Sequence, residues 1–210
     1  MRRLLLCLLA SGLPIACSSA PSDNGNKAVQ SAGWATPVKH DANLYRIDDK
    51  LYRSEQPVAE DGEAIVKLGI QSVINLRFFD RNDDDHLKAY GLTLLNRPLL
   101  SWSIKTKEIA EILYLIEKQQ QNGAVLIHCY HGADRTGLIA GMYRIIYQGW
   151  SVEEAKAEMQ HGPYGYHSIW KNIAKLRPLQ NSFSPNSRNP NTGFRLFLFQ
   201  ISTDSTQIPP

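Results

Sequence analysis

With 210 residues and 43% apolar side chains, the chain is long enough to bury one ordinary core and short for two. Its net charge of +3, which drops by two to +1 when Arg2 and Arg3 are set aside, excludes the general basicity of a nucleic-acid binder. Its cysteines, Cys7, Cys17 and Cys129, are too few and too unevenly placed for a disulfide-framed scaffold.

In chain order, Met1 to Ala16 has a basic start, an apolar stretch through Leu9 and Ala10, and small residues after it. That pattern reads as a secretory signal rather than a membrane span. Ile15-Ala16-Cys17-Ser18 resembles the lipobox of bacterial lipoproteins, with Pro14 where leucine is usual. The resemblance implies a signal peptide over residues 1–17, lipidation of Cys17 and a periplasmic product attached to the envelope membrane through its N-terminus. A soluble periplasmic product, cut after Ala20, is the alternative. Residues 18–41, rich in Ser, Asn, Gly, Ala and Pro, predict a flexible tether.

The folded domain is expected over residues 42–177. Leu44 to Ile47 and Leu51 to Arg53, joined by Asp48-Asp49-Lys50, predict a β-hairpin. Val58 to Leu68 carries Ala64, Ile65 and Leu68 at helical spacing and is stopped by Gly69; Ile70 to Leu76 then reads as a buried strand. Asp80 to Tyr90, with Asp83, Asp84 and Asp85 in a row, reads as a solvated loop and helix start, a metal site using His86 being the sharper alternative. A strand follows at Leu92 to Leu95. Over Lys107 to Gln120, Ile109, Ile112, Leu113 and Ile116 fall at i, i+3, i+4 and i+7 and form one buried face.

The apolar run Ala124 to Ile127 leads into HCYHGADRTG, His128 to Gly137, and then into a helix burying Leu138, Met142 and Ile145 and closed by Gly149. Ser151 and Glu154 predict a capping box for a further helix that buries Val152, Ala155 and Met159. Alternation of this kind predicts an α/β fold, with a central, mostly parallel sheet flanked by helices and the loop at a strand's carboxyl end. Beyond it, Tyr164, Tyr166, His167 and Lys171 are candidates for the pocket rim or for core caps. Residues 178–210 form a low-complexity tail that includes the apolar run Phe194 to Ile201.

Cys129 and Arg135 bracket a loop short enough to turn its amides inward at a helix N-terminus, which makes an anion site. The same positive surroundings favour Cys129 as a thiolate. Tyr130, His131, Gly132, Ala133, Asp134 and Arg135 would line the anion, the Arg135 guanidinium gripping two oxygens through its planar fork. Gly132 meets a need for unusual dihedrals, His128 orients the loop through a hydrogen bond, and Thr136 sets a hydroxyl beside the sulfur. A Cys17–Cys129 disulfide is the bland alternative.

This loop resembles the His-Cys-x5-Arg-Thr/Ser-Gly signature of the cysteine-dependent protein tyrosine and dual-specificity phosphatases. Leu51 to Pro57 (LYRSEQP) resembles a segment near the start of small bacterial and fungal members, where Arg53 and Gln56 would face the loop. His161 to Asn172 resembles the C-terminal segment of the periplasmic tyrosine phosphatases of Gram-negative bacteria. The resemblance implies hydrolysis of a phosphorylated protein, at phosphotyrosine and also at phosphoserine or phosphothreonine, through a phosphocysteine on Cys129, with no cofactor and no metal. It departs in one respect: Arg97 to Thr106, where the family carries an acid, has no carboxylate. Asp134, Asp80 to Asp85 and Glu108 are the candidate substitutes. An inositol phosphate or pyrophosphate phosphatase and a phosphate-binding module without turnover remain the competing readings.

Overall fold

β1 (Thr36–Lys39), β2 (Leu44–Arg46), β3 (Leu51–Ser54), α1 (Gly62–Lys67), β4 (Ile70–Asn75), β5 (Thr93–Asn96), α2 (Thr106–Gln119), β6 (Ala124–His128), α3 (Asp134–Gln148) and α4 (Val152–His161) follow one another along the chain. The structure, a computed structural model, describes residues 33–79 and 83–167. The expected leader with Cys17, most of the tether, Asp80 to Asn82, Lys171 and the tail lie outside the described residues.

One sheet has the order β1-β2-β3-β6-β4-β5. The β3–β6, β6–β4 and β4–β5 pairs are parallel, while β1–β2 and β2–β3 are antiparallel, the latter being the expected hairpin. β6 is therefore central and buried on both faces, as its unbroken apolar run requires. Alternate residues divide between two cores. Leu51, Ile74, Val125 and Ile127 pack with Ile109, Ile112, Leu113 and Ile116 of α2 and with Leu138, Met142 and Ile145 of α3. Tyr52, Val73 and Leu126 face the other way, onto Ile65 of α1 and onto Leu87 and Leu92. The period of two along each strand thus decides which helix each side chain meets.

Helix ends follow local chemistry. Ser151 Oγ accepts from Glu154 N at 3.2 Å and Glu154 Oε2 accepts from Ser151 N at 2.8 Å, closing the expected capping box. Gly149, at φ 73°, closes α3. The helix expected from Val58 is shorter than its pattern, with a 3-10 turn over Ala59–Asp61 before α1.

The tether ends earlier than its composition implies. Thr36 pairs with Arg46 and Pro37 with Tyr45, so residues 36–41, expected within the tether, belong to the folded unit. Ahead of them, buried Ala35 donates its amide to Glu158 Oε1 at 2.7 Å. β1 is an exposed edge strand containing proline, the position where proline is tolerated. Its order comes from ladder pairing and leaves little apolar signal to read.

Candidate active site

β6 ends at His128, level with Ser54 at the end of β3 and Asn75 at the end of β4. The chain leaves there, turns through residues 129–133 and enters α3 at Asp134, so the loop crowns the carboxyl edge of parallel strands.

Donors from neighbouring elements hold the loop's carbonyls. Gln56 N donates to Tyr130 O at 3.0 Å, Asn43 Nδ2 to His131 O at 2.8 Å, Arg53 Nη2 to Gly132 O at 2.7 Å, and Gly137 N to Ala133 O at 2.8 Å. A trans peptide points its N–H opposite its C=O, so the amides of His131, Gly132, Ala133 and Asp134 turn toward the other side. None of them has a protein acceptor among the described residues. On that side lies a pocket of about 360 Å³ lined by Ser101, Cys129, Tyr130, His131, Asp134, Arg135 and His167. Orphan amides at the positive end of a 15-residue helix form an anion nest.

Gly132 is required by geometry. Its φ is +70°, and a Cβ there would lie 2.5 Å from Ser54 O and 2.6 Å from Glu55 N, both backbone atoms. Arg135 lines the pocket and donates from Nη1 to Leu76 O at 3.4 Å, which anchors its guanidinium to the chain just past β4. Cys129 is a free, buried cysteine. Thr136 Oγ1 is buried and has no partner among the described residues, which leaves that hydroxyl available to the sulfur or to a ligand.

Beneath the loop lies Arg53, only 1% exposed. Its guanidinium carbon sits 3.7 Å from the Tyr164 ring centroid, and Tyr164 Oη donates to Glu158 Oε1 at 3.0 Å. Burial pulls the Arg53 pKa down, opposed by Tyr164, Glu158 and Cys129. Burial and the Glu158 charge raise the Tyr164 pKa, so the phenol stays a donor. Tyr164 therefore belongs to the core and not to the rim, because the cation stacked on it holds it inside.

A second network braces the start of the loop. His128, 0% exposed, places Nε2 3.0 Å from Asp84 Oδ2 and Nδ1 3.4 Å from Cys129 O. Gln56 Nε2 donates to Asp84 Oδ1 at 2.5 Å, and Arg77 Nη1 donates to Gln56 Oε1 at 2.8 Å and to Asp83. Burial raises the Asp84 pKa, but the hydrogen bond and charge of His128, with the hydrogen bond of Gln56, outweigh it and hold the carboxyl below its usual range. The acidic run is thus not all solvated, since Asp84 is 3% exposed. His86 and its neighbours form no metal-holding cluster among the described residues.

The family model described as "Polymorphic toxin system, DSP-PTPase phosphatase" matches residues 48–149. A dual specificity protein phosphatase of Pseudomonas aeruginosa, TpbA, is 36% identical over 138 residues, covering 66% of this chain and 62% of that protein. The chain thus matches under two thirds of that relative's length. The crystal structure of a Cys-to-Ser form of TpbA in complex with pTyr superposes with TM-score 0.68 at 31% identity, covering 81% of this chain and 98% of that one. The chain belongs to the dual-specificity phosphatase family. An inositol diphosphatase of rice is 28% identical over 129 residues, covering 57% of this chain and 61% of that protein.

Within this phosphatase-family frame, the carboxylates considered as substitute acids are accounted for unevenly. Glu108 Oε2 accepts from Lys105 N at 2.8 Å and caps α2, Asp83 pairs with Arg77, and Asp85 pairs with Lys88. Among the described ones, Asp134 alone lines the pocket. Its Oδ1 accepts from His167 N at 2.9 Å, and its Oδ2 lies 2.8 Å from His167 Nδ1. His167 is the rim candidate brought into the pocket. Asn43 and Ser101 were not singled out from sequence, and Asp84, considered there as part of the acidic run, is a buried brace of the loop instead. The φ of 45° at Asn43 carries only the weak signal that asparagine tolerates the left-handed region, and nothing in the spacing marks Ser101 or the bracing role of Asp84.

Proposed function

We propose that this chain is a protein phosphatase that hydrolyses phosphotyrosine, and also phosphoserine or phosphothreonine, through a phosphocysteine intermediate. The observation that carries the reading is the pocket in which a cysteine, an arginine and a row of unpartnered amides converge over the N-terminus of α3. The Cys129 thiolate attacks phosphorus, the P–O bond to the leaving group breaks with its electrons going to oxygen, and water then displaces the sulfur. The amides and Arg135 stabilise the charge on the equatorial oxygens, worth several kcal/mol of barrier for such preorganised donors, about 2.7–4 each. Membership of a family that includes a relative crystallised with pTyr supports the substrate class.

The test is phosphate release from phosphotyrosine and phosphoserine peptides and from inositol hexakisphosphate, by the full chain beside Cys129→Ser. Release from phosphotyrosine that vanishes in the variant is expected. Preference for the inositol substrate would favour the second reading, an inositol phosphate phosphatase, to which the likeness to the rice inositol diphosphatase lends support. Binding without turnover of any substrate would leave a phosphate-binding module.

The reading extends to export. The basic and apolar start of the chain and the lipobox-like run at Cys17 support a lipoprotein held at the periplasmic face of an envelope membrane. Fatty-acid labelling that is lost in Cys17→Ser would bear this out, and unlabelled wild type released in soluble form would refute it.

A further inference from the structure

The connection between β5 and α2 holds no Asp or Glu from Arg97 to Lys105, although it reaches the pocket through Ser101. The pocket's carboxylate among the described residues, Asp134, has one oxygen on the His167 amide and the other on its ring nitrogen Nδ1. An imidazole bound to a carboxylate through Nδ1 is fixed in ring orientation and presents Nε2 on the opposite edge. His167 Nε2 has no partner among the described residues, and the His167 side chain is 44% exposed where it lines the pocket. His131, whose ring centroid is 5.1 Å away, has no such carboxylate.

We propose that the Asp134–His167 pair supplies the proton that the β5–α2 connection lacks, with His167 as the general acid and Asp134 as its positioning residue. As the sulfur–phosphorus bond forms, the bond from phosphorus to the leaving oxygen breaks, its electron pair stays on oxygen, and Nε2–H of the imidazolium protonates that oxygen. The neutral ring then takes a proton from the water that attacks phosphorus. The sulfur–phosphorus bond breaks, the electron pair returns to Cys129 as thiolate, and the imidazolium is restored. Proton transfer of this kind contributes roughly 10²–10⁴-fold, and most where the leaving oxygen is basic.

This inference rests on the phosphatase reading, and its test keeps the two apart. The full chain, His167→Gln and Asp134→Asn are assayed on aryl phosphates of graded leaving-group acidity and on a phosphoserine peptide. In His167→Gln, kcat/KM is expected to fall about 10²-fold or more on phosphoserine and only a few-fold on nitrophenyl phosphate, with the alkaline limb of the pH profile lost. Asp134→Asn should follow the same leaving-group trend. The ionisable groups that line the pocket with His167 are Asp134 and Arg135 of α3 and Cys129, Tyr130 and His131 of the loop, so a limb that disappears only with His167 belongs to it. An equal loss on every substrate, or none, overturns the proposal. Comparing substrates within one variant removes any effect of a reduced folded fraction. Failure of the wild type on every substrate would instead refute the phosphatase reading itself.

Discussion

Replacing Asp84 with asparagine tests whether the loop depends on a brace beneath it. The two side chains have the same shape, so no cavity opens. What changes is that one carboxylate oxygen becomes an amide donor, facing either His128 Nε2 at 3.0 Å or Gln56 Nε2 at 2.5 Å. Facing Gln56, the new amide opposes another donor at a residue only 3% exposed; facing His128, it is accepted by Nε2 only when the ring is the neutral Nδ1–H tautomer, and the charge-assisted bond is lost. Loss of a hydrogen bond to a charged group, or one unsatisfied buried donor, costs about 1–3 kcal/mol. At about 2–4 °C per kcal/mol for a chain of this size, that lowers Tm by roughly 2–12 °C. Calorimetry of wild type, Asp84→Asn, His128→Asn and the double variant gives the coupling directly. Because His128 adjoins Cys129, turnover by Asp84→Asn at a temperature where it remains folded should also fall. An unchanged Tm together with a coupling near zero would refute the brace.

Gly132→Ala should cost about 1–2 kcal/mol for a left-handed non-glycine residue and about 1–3 more for overpacking against the Ser54 carbonyl and Glu55 amide, and should weaken phosphate competition; an unaltered melt and inhibition constant would contradict it. Arg53→Lys keeps the charge but loses the planar guanidinium that stacks on Tyr164 and whose Nη2 donates to both Gly132 O and Ala133 O, so a lower Tm and a lower kcat are expected, and wild-type values for both would show that the guanidinium is dispensable. The pH dependence follows from Asp84. Its folded pKa lies below the unfolded value of about 3.9, so it adds stability that is present above that pH and lost as pH falls through the folded value. The Tm difference between wild type and Asp84→Asn should therefore shrink below about pH 4, and a difference that grew in acid would contradict the assigned direction.

The sheet's parallel part was legible because its strands and helices bury surfaces with a clear period. The i, i+3, i+4, i+7 stripe of α2 meets the β4 and β6 residues that its spacing required. The anion loop was legible because a short Cys-to-Arg spacing before a helix admits few backbone courses. β1 was missed because an exposed edge strand with proline has no apolar period. The bracing role of Asp84 was missed because a run of acidic residues reads as solvated whenever the partner that buries one of them, here His128, is 44 positions away in the chain.

The elements that were hard to read are those that fix the chemistry. A loop of orphan amides is unstable alone, since those dipoles repel and the conformation needs a left-handed glycine. Here it is imposed from outside: Asn43, Arg53 and Gln56 seize consecutive carbonyls, and His128 ties the first turn to Asp84. Arg53 and Gln56 come from β3 and the turn after it, and Asn43 from the turn that leads into β2, which accounts for an antiparallel hairpin packed on the edge of a parallel sheet. The hairpin holds the carbonyls away so that the amides are left for an anion, and removing any one of these donors should weaken anion binding more than it weakens the fold.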